Sequence, residues 1–200
     1  MKVLEKKVDE KILDYINAME DKELRKDICA GPVRINDCFY EFEETEFFDG
    51  QLKMCIPNTF FDMPFEARKF KYPSENRPEI IKCNSTGGIV ITFNVIDSPL
   101  NDDYVENLLD MMILINKRLN PANIIFDQNI VEIDSKKIGY YDFKSPALDD
   151  SLYNFVFLLE FKEKTLMGTF SCGYSNHKQW KDDIVFQMIN TIRVKKEDEN

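Results

Sequence analysis

Few side chains in this sequence have the type and spacing that covalent chemistry requires. Cys172 and His177 lie five positions apart, and a thiolate nucleophile needs a base within hydrogen-bond reach. A strand cysteine and a residue at a helix start are more often accidental neighbours. His177 is the only histidine, which excludes a His-based metal site. The cysteines are scattered and never form a C-x-x-C pair, so we expect packing thiols and no bound metal or cofactor: Cys29, Cys38, Cys55, Cys83 and Cys172.

Carboxylate pairs could in principle supply acid–base catalysis. Those of this sequence fall at predicted helix starts, at turns and on an edge strand, where solvated charge is expected: Glu43-Glu44, Asp102-Asp103, Asp149-Asp150 and Asp182-Asp183. The glycine-containing stretch at 85–88 lacks the lysine of a phosphate-binding loop and precedes a strand, so we interpret it as a hairpin turn. The sequence therefore indicates no catalytic centre.

The most unusual local composition is a run of glutamates among aromatic residues. Glu41, Glu43, Glu44 and Glu46 are interleaved with Phe39, Tyr40, Phe42, Phe47 and Phe48. Aromatic and acidic side chains together can form a recognition edge for a basic partner, so the four glutamates are candidate binding residues. Alternatively, the aromatic residues belong to the core and the glutamates protect an edge strand from aggregation.

Charge and hydropathy narrow the classes of partner and location. The formal net charge is −10 and no cluster of Lys or Arg offsets it, so we expect no nucleic-acid partner and no binding to anionic membranes. Charges interrupt the apolar residues of the first nine positions, and no window approaches the roughly 20 apolar residues of a membrane span. We expect a cytoplasmic protein with reduced thiols.

The first half of the chain predicts one helix and two hairpins. Apolar residues at three- to four-residue spacing indicate an amphipathic helix from Met1 to about Ala30. Cys38 to Phe42 and Leu52 to Ile56 are expected to pair as a hairpin around an Asp-Gly turn. Ile80 to Asn84 and Ile89 to Ile96 form the second hairpin. Between the hairpins, five apolar residues are expected to be covered by a loop or short helix: Phe60, Phe61, Met63, Phe65 and Phe70.

The second half predicts a helix, three strands and a final helix. Asn101 is the N-cap of a helix to Leu119, whose predicted buried stripe is Val105, Leu108, Leu109, Met112, Ile115 and Leu119. The strands run from Val131 to Phe143, from Leu152 to Lys162 and from Leu166 to Tyr174, and the second is apolar on both faces and therefore central. A helix from about Asn176 to Val194 carries Trp180, Ile184, Met188 and Ile192 on one stripe.

This order resembles the PsbP/Mog/DcrB-like α/β/α sandwich. The resemblance rests on order and pattern: residues 52–57 entering Phe60, the strand at 89–96 before the Asn101 helix, residues 138–141, the paired strands at 153–161 and 166–170, and the Trp180 helix. We expect an α+β fold with a mainly antiparallel sheet of about six strands between helices. The predicted units are an N-terminal helix (1–30), one sandwich domain (33–194) and a charged tail (195–200).

The resemblance implies a binding platform, but a fold does not fix a function. Our leading hypothesis is a non-catalytic cytoplasmic interaction protein whose partner is another protein or a second copy of itself. The alternative is a small-ligand-binding protein or an enzyme with a pocket between the sheet and the helices.

Overall fold

The computed structural model describes residues 27–75, 77–148 and 150–195, apart from the side chains of residues 182 and 183. Its strands are β1 (Val33–Ile35), β2 (Cys38–Tyr40), β3 (Phe42–Phe47), β4 (Leu52–Pro57), β5 (Phe61–Asp62), β6 (Ile80–Cys83), β7 (Val90–Pro99), β8 (Ile124–Ile133), β9 (Lys136–Pro146), β10 (Ser151–Phe161), β11 (Lys164–Gly173) and β12 (Arg193–Val194). Two helices lie between strands, namely α1 (Phe65–Lys71) and α2 (Val105–Leu119), the latter preceded by a 3₁₀ turn (Asp102–Tyr104). The C-terminal helical segment consists of a 3₁₀ turn (Tyr174–Asn176), α3 (His177–Gln179), a π-helical turn (Trp180–Ile184) and α4 (Val185–Asn190).

The main sheet has seven strands in the order β5-β6-β7-β11-β10-β9-β8, and their pairings are antiparallel. β10 lies in its middle, and residues 153–159 are buried on both faces, which confirms the prediction for this strand. The expectation of about six strands was too low. The predicted strand from Val131 to Phe143 is a hairpin of two long strands, because Asp134 and Ser135 both adopt positive φ and reverse the chain.

A separate three-stranded sheet, β12-β4-β3, is called the small sheet here, and β1 and β2 form a further pair. The predicted pairing of Cys38–Phe42 with Leu52–Ile56 is wrong. The turn is tight, with Phe48, Asp49 and Gly50 at positive φ, so Phe47 lies opposite Leu52 and the strand extends back to Phe42. β2 pairs with β1 instead. The second predicted hairpin is confirmed, with Cys83 opposite Val90.

The C-terminal helical segment ends earlier than predicted. Thr191 Oγ1 donates to the Met188 carbonyl at 2.6 Å and accepts from the Cys55 N–H at 2.8 Å. A side chain that bonds to nearby backbone in this way competes with continued helix. The chain therefore leaves the helix, and Arg193 and Val194 pair with Lys53 and Leu52 as β12. The predicted apolar stripe is nonetheless buried at all four positions: Trp180, Ile184, Met188 and Ile192.

Helices and strands cover the two faces of the main sheet. α2 packs on one face, over β9 and β10, where a Cβ added to Gly139 would lie 3.0 Å from Val105 Cγ1. The C-terminal helical segment and the small sheet pack on the other face and enclose the largest core cluster, which includes Trp180 and Phe157. The result is an α/β sandwich with antiparallel sheets.

The segment between the two hairpins is only partly covered. Phe60 and Met63 are buried as predicted, but Phe61, Phe65 and Phe70 are exposed, and α1 has no buried residue. Of the predicted N-terminal helix, residues 1–26 lie outside the described residues and residues 27–30 form a turn. Within the described ranges, no helix is both long and apolar enough to cross a membrane.

Candidate functional site

The structure does not make a nucleophilic pair of Cys172 and His177. Cys172 is fully buried in β11, and this burial raises the pKa of its thiol to about 12. His177 stacks on the Tyr174 ring at 4.0 Å between ring centroids, and its Nδ1 contacts the Tyr174 carbonyl oxygen. A thiol that stays protonated at neutral pH is a packing residue, and the imidazole is engaged by Tyr174.

The described members of the acidic pairs are exposed with one exception, Asp102, which is half-buried and whose Oδ1 is buried without a hydrogen-bond partner among the described residues. Glu43 and Glu44 are exposed on β3, and Asp103 is exposed at the turn before α2, where the Asn101 side chain accepts a hydrogen bond from its N–H. Asp149 and the side chains of residues 182 and 183 lie outside the described part. In the described part, no three His, Cys, Asp or Glu side chains are grouped so that they could hold a metal ion.

The four candidate glutamates are exposed but do not form one cluster. Glu44 and Glu46 share a face of β3, and both bind Lys53 Nζ, at 3.2 and 3.0 Å. Their hydrogen bonds and charge raise the pKa of Lys53. Glu41 instead accepts from Asn58 Nδ2 at 3.3 Å, and Glu43 makes neither contact. β3 is an edge strand of the small sheet, as the protective interpretation of these glutamates requires.

Two open grooves border the small sheet. One, of about 570 Å³, is lined by Glu41 and Asn58 together with Pro32, Phe39 and Thr59. The other, of about 620 Å³, has mixed charge and is lined by Glu46, Asp49, Gly50, Lys53, Asp134, Arg193, Val194 and Lys195. Both lie at the small sheet, whereas the ligand-binding alternative predicts a pocket between the main sheet and a helix.

A buried ion pair lies between β9 and the C-terminal helical segment. Asp142 Oδ2 binds Lys181 Nζ at 2.7 Å and accepts from the Tyr153 hydroxyl at 3.1 Å, while Oδ1 accepts from the Asp127 N–H at 2.8 Å. The register of β8 shifts between Ile125 and Asp127, so that Phe126 is an extra residue, and Lys181 Nζ lies 4.3 Å from the centre of its ring.

Bulges and π-helical turns are frequent at functional sites. Here, however, both carboxylate oxygens of Asp142 already accept hydrogen bonds, and the ammonium of Lys181 is neutralised by the same carboxylate. The arrangement fixes the π-helical turn on the sheet and leaves neither charge available to a substrate. It is a structural anchor in this conformation.

Helix α2, with its preceding 3₁₀ turn, carries more exposed large apolar side chains than any other element of the described chain. The predicted buried stripe is rotated: Val105, Leu109 and Ile113 face the sheet, while Ile115 and Leu119, predicted to be buried, are 40% and 82% exposed. Five of the twelve exposed large apolar side chains in the described chain belong to this helix and its 3₁₀ turn, and we call them the α2 outer face: Tyr104, Met111, Leu114, Ile115 and Leu119. A concentration of exposed large apolar side chains is typical of interaction sites.

Charge is divided along the same helix. Its N-terminal end carries Asp102, Asp103 and Glu106, and its C-terminal end carries Lys117 and Arg118. This division stabilises the helix itself through the macrodipole. It also means that a partner lying along the α2 outer face meets negative charge at one end and positive charge at the other.

The sequence contained a signal for this surface that the stripe prediction missed. Residues 108–115 contain a single charged residue, Asp110. A helix that is apolar around most of its circumference exceeds what one contact with a sheet can bury. Val105 and Leu109 of α2 face the sheet because they pack closely against Gly139. This is a tertiary contact, which the sequence pattern does not show.

Comparison with known proteins identifies the fold. No protein-family model and no curated protein matches the sequence. Among solved structures, CyanoP, the cyanobacterial PsbP of Synechocystis sp. PCC 6803, is similar with a TM-score of 0.56 and 7% identity, over 77% of this chain and 92% of that protein.

Two further structures are similar at lower TM-scores. A protein from Bacteroides thetaiotaomicron VPI-5482 gives 0.49 at 10% identity, over 78% of this chain and 49% of its own. A Pseudomonas aeruginosa protein of unknown function, PA94, described as a putative regulator, gives 0.43 at 13% identity, over 78% of this chain and 98% of its own. The CyanoP similarity establishes that this chain has a PsbP-like fold.

Proposed function

We propose that this chain is a non-catalytic protein-interaction module and that the α2 outer face is its docking surface. The observation that carries the proposal is the exposure of five large apolar side chains on α2 and its 3₁₀ turn, between 40% and 82% each. None of them belongs to a core cluster of the described chain, and the apolar area that they expose to water is removed only when another surface covers them.

The partner must match both the apolar row and the charges at its ends. It offers an apolar ridge along α2, basic groups near Asp103 and acidic groups near Arg118. Complementary charge of this kind sets the orientation and suppresses wrong partners more than it adds affinity. The aromatic ring of Tyr104 and the thioether of Met111 are residue types enriched at interfaces.

The test is native purification of the tagged full chain from its own cells, in which an untagged copy is also expressed, with the bound proteins and the untagged copy identified by mass spectrometry. The variants are Met111→Lys and Ile115→Lys, and the matched controls are Phe70→Lys and Leu148→Lys, which replace exposed apolar residues outside α2. We expect a bound protein that is recovered with the wild type and with both controls to be absent from the purifications of the α2 variants. An unchanged set of bound proteins in the α2 variants would contradict the proposal.

Further parts of the proposal rest on the sequence. A cytoplasmic location is proposed from the odd number and scattered positions of the cysteines, and the lack of a nucleic-acid partner is proposed from the net charge of −10. A relation to the Mog-like and DcrB-like groups is proposed from the order of elements. Glu41, Glu43, Glu44 and Glu46 stay candidates for a second, basic contact.

A further inference from the structure

We propose that the partner of the α2 outer face is a second copy of this chain, with the two α2 helices packed antiparallel about a twofold axis near Met111. This inference rests on the proposed docking function and names its occupant. In a twofold-symmetric interface the same patch meets itself, so the patch must be complementary to its own reversed copy.

The apolar residues meet this requirement. Tyr104 and Leu119 lie at the two ends of the α2 outer face, and Met111 lies midway between them. Reversing one helix therefore places Tyr104 against Leu119 of the second copy, and Met111 near its own equivalent. Half-buried Leu108 then meets Ile115 of the second copy. Tyr104, Met111, Ile115 and Leu119 thus have apolar counterparts, whereas Leu114 lies opposite the position of buried Leu109 and stays outside the contact.

The charges of α2 are also complementary to those of a reversed copy, and they favour an antiparallel over a parallel orientation of the two helices. In the antiparallel arrangement, Arg118 of one copy lies beside Asp103 of the other, because both residues flank the apolar row at its ends. In a parallel arrangement the acidic ends would lie together and the basic ends together, which is repulsive. Antiparallel packing also places opposite ends of the helix macrodipoles side by side.

The expected strength is low. One 15-residue helix per copy buries less than the area typical of a stable interface. The net charge of −10 on each copy adds long-range repulsion, which salt screens. We therefore expect a reversible dimer whose population increases with protein concentration.

The first measurement is sedimentation velocity of the purified full chain over a concentration series. We expect a monomer–dimer equilibrium, and we expect Met111→Lys, which places two ammonium groups near the axis, to raise the dissociation constant at least tenfold. Arg118→Glu should also weaken the dimer, and the double variant Arg118→Glu/Asp103→Arg should recover it. Lys178→Glu, an exposed charge reversal outside α2, is the control.

The second measurement determines whether the two α2 helices are antiparallel. Cysteines placed on α2 are cross-linked in a chain whose Cys29, Cys38 and Cys55 are replaced by serine. Met111→Cys should link to itself, and Tyr104→Cys should link to Leu119→Cys in a mixture. Neither end variant should link to itself, because the helix separates the two ends by about 22 Å.

Self-linking of the two end variants would overturn the antiparallel arrangement. If the chain stays monomeric throughout the concentration series, the proposal that a second copy binds the α2 outer face is wrong. If α2 substitutions nevertheless removed a different protein from the native purification, the docking function would stand while this inference failed.

Discussion

Lys181 Nζ lies 2.7 Å from Asp142 Oδ2, and this ion pair joins the π-helical turn to β9 where the carboxylate residue is 2% exposed. The two residues are 39 positions apart in the sequence, so the contact forms only when the C-terminal helical segment packs on the main sheet. It is a tertiary contact that holds the C-terminal helical segment on the main sheet.

Removing the carboxylate should destabilise the fold. Asp142→Ala leaves the Lys181 ammonium and the Asp127 N–H without this acceptor, and we expect a loss of about 2–4 kcal/mol in the free energy of unfolding. The figure is below that for a fully buried pair because the Lys181 side chain is 28% exposed. Urea unfolding measures it. Asp97→Ala, which breaks an exposed pair with Lys164, is the control and should lower the free energy of unfolding by less than about 1 kcal/mol. Equal losses in the two variants would contradict a stabilising role of the Asp142–Lys181 pair.

The absence of a side chain at Gly168 is required by the ring of Phe157. The two residues are opposite each other in β11 and β10, and a Cβ at Gly168 would overlap the ring. We expect Gly168→Ala to cost about 1–3 kcal/mol through overpacking, measured by denaturant unfolding. In a Phe157→Leu background the added methyl should cost less, and strictly additive effects would argue against the contact.

Helix α2 offers two leucines in opposite environments. Leu109 is 2% exposed against the sheet and Leu114 is 58% exposed on the α2 outer face. We expect Leu109→Ala to lower the free energy of unfolding by about 2–5 kcal/mol and Leu114→Ala to change it by less than about 0.5 kcal/mol. Thermal or urea unfolding compares them. A large loss at Leu114 would mean that this side chain stabilises the monomer and does not await a partner.

Stability should decline at alkaline pH. Burial raises the pKa of the Cys172 thiol to about 12 from 9.0 and that of the Tyr72 hydroxyl to about 12 from 10.0. The folded state therefore binds more protons than the unfolded state above these ordinary values, and stability is lost as the pH rises from about 9 to 12. Urea midpoints should decrease over this window. Cys172→Ala and Tyr72→Phe should each flatten the decrease, and unchanged slopes would contradict the assignment.

The outer edge of β8 is capped by its own side chains. The Gln128 N–H donates to Asp127 Oδ1 and the Ile130 N–H to Asn129 Oδ1, each at 2.8 Å. Such capping removes donors that another strand could use. We expect Asn129→Val to aggregate at a lower temperature than the wild type, followed by light scattering during heating. Glu132→Val in the same strand is the control; an equal shift there would assign the effect to hydropathy alone.

Local signals predicted those parts of the fold that local interactions determine. The Asn101 cap fixed the start of the helical region at 102, and the apolar pattern of β10 identified the central strand. Other features depend on distant contacts. The pairing of β3 depends on three consecutive positive φ angles, and the end of α4 depends on a hydrogen bond that the Cys55 N–H of β4 donates to Thr191 Oγ1.

The α2 outer face likewise depends on both local sequence and distant contacts. The sequence shows that α2 is rich in apolar residues, but only the packing of Val105 and Leu109 against Gly139 determines which residues stay exposed. The glutamates drew attention by composition, yet Glu44 and Glu46 are paired with Lys53 on an edge strand. Composition therefore identified the glutamates as a concentration of charge. The α2 outer face, in contrast, could be recognised only from the tertiary structure.

The most direct test of the docking function is the solvent accessibility of the methionine methyl groups by NMR with a soluble paramagnetic agent. Met111 is 53% exposed, whereas Met54 and Met188 are buried and serve as internal references. At low concentration the Met111 methyl signal should be strongly broadened by the agent. We predict that this broadening decreases as the chain concentration rises or as proteins recovered with it are added. A Met111 methyl group that stays equally accessible under all these conditions would contradict the account.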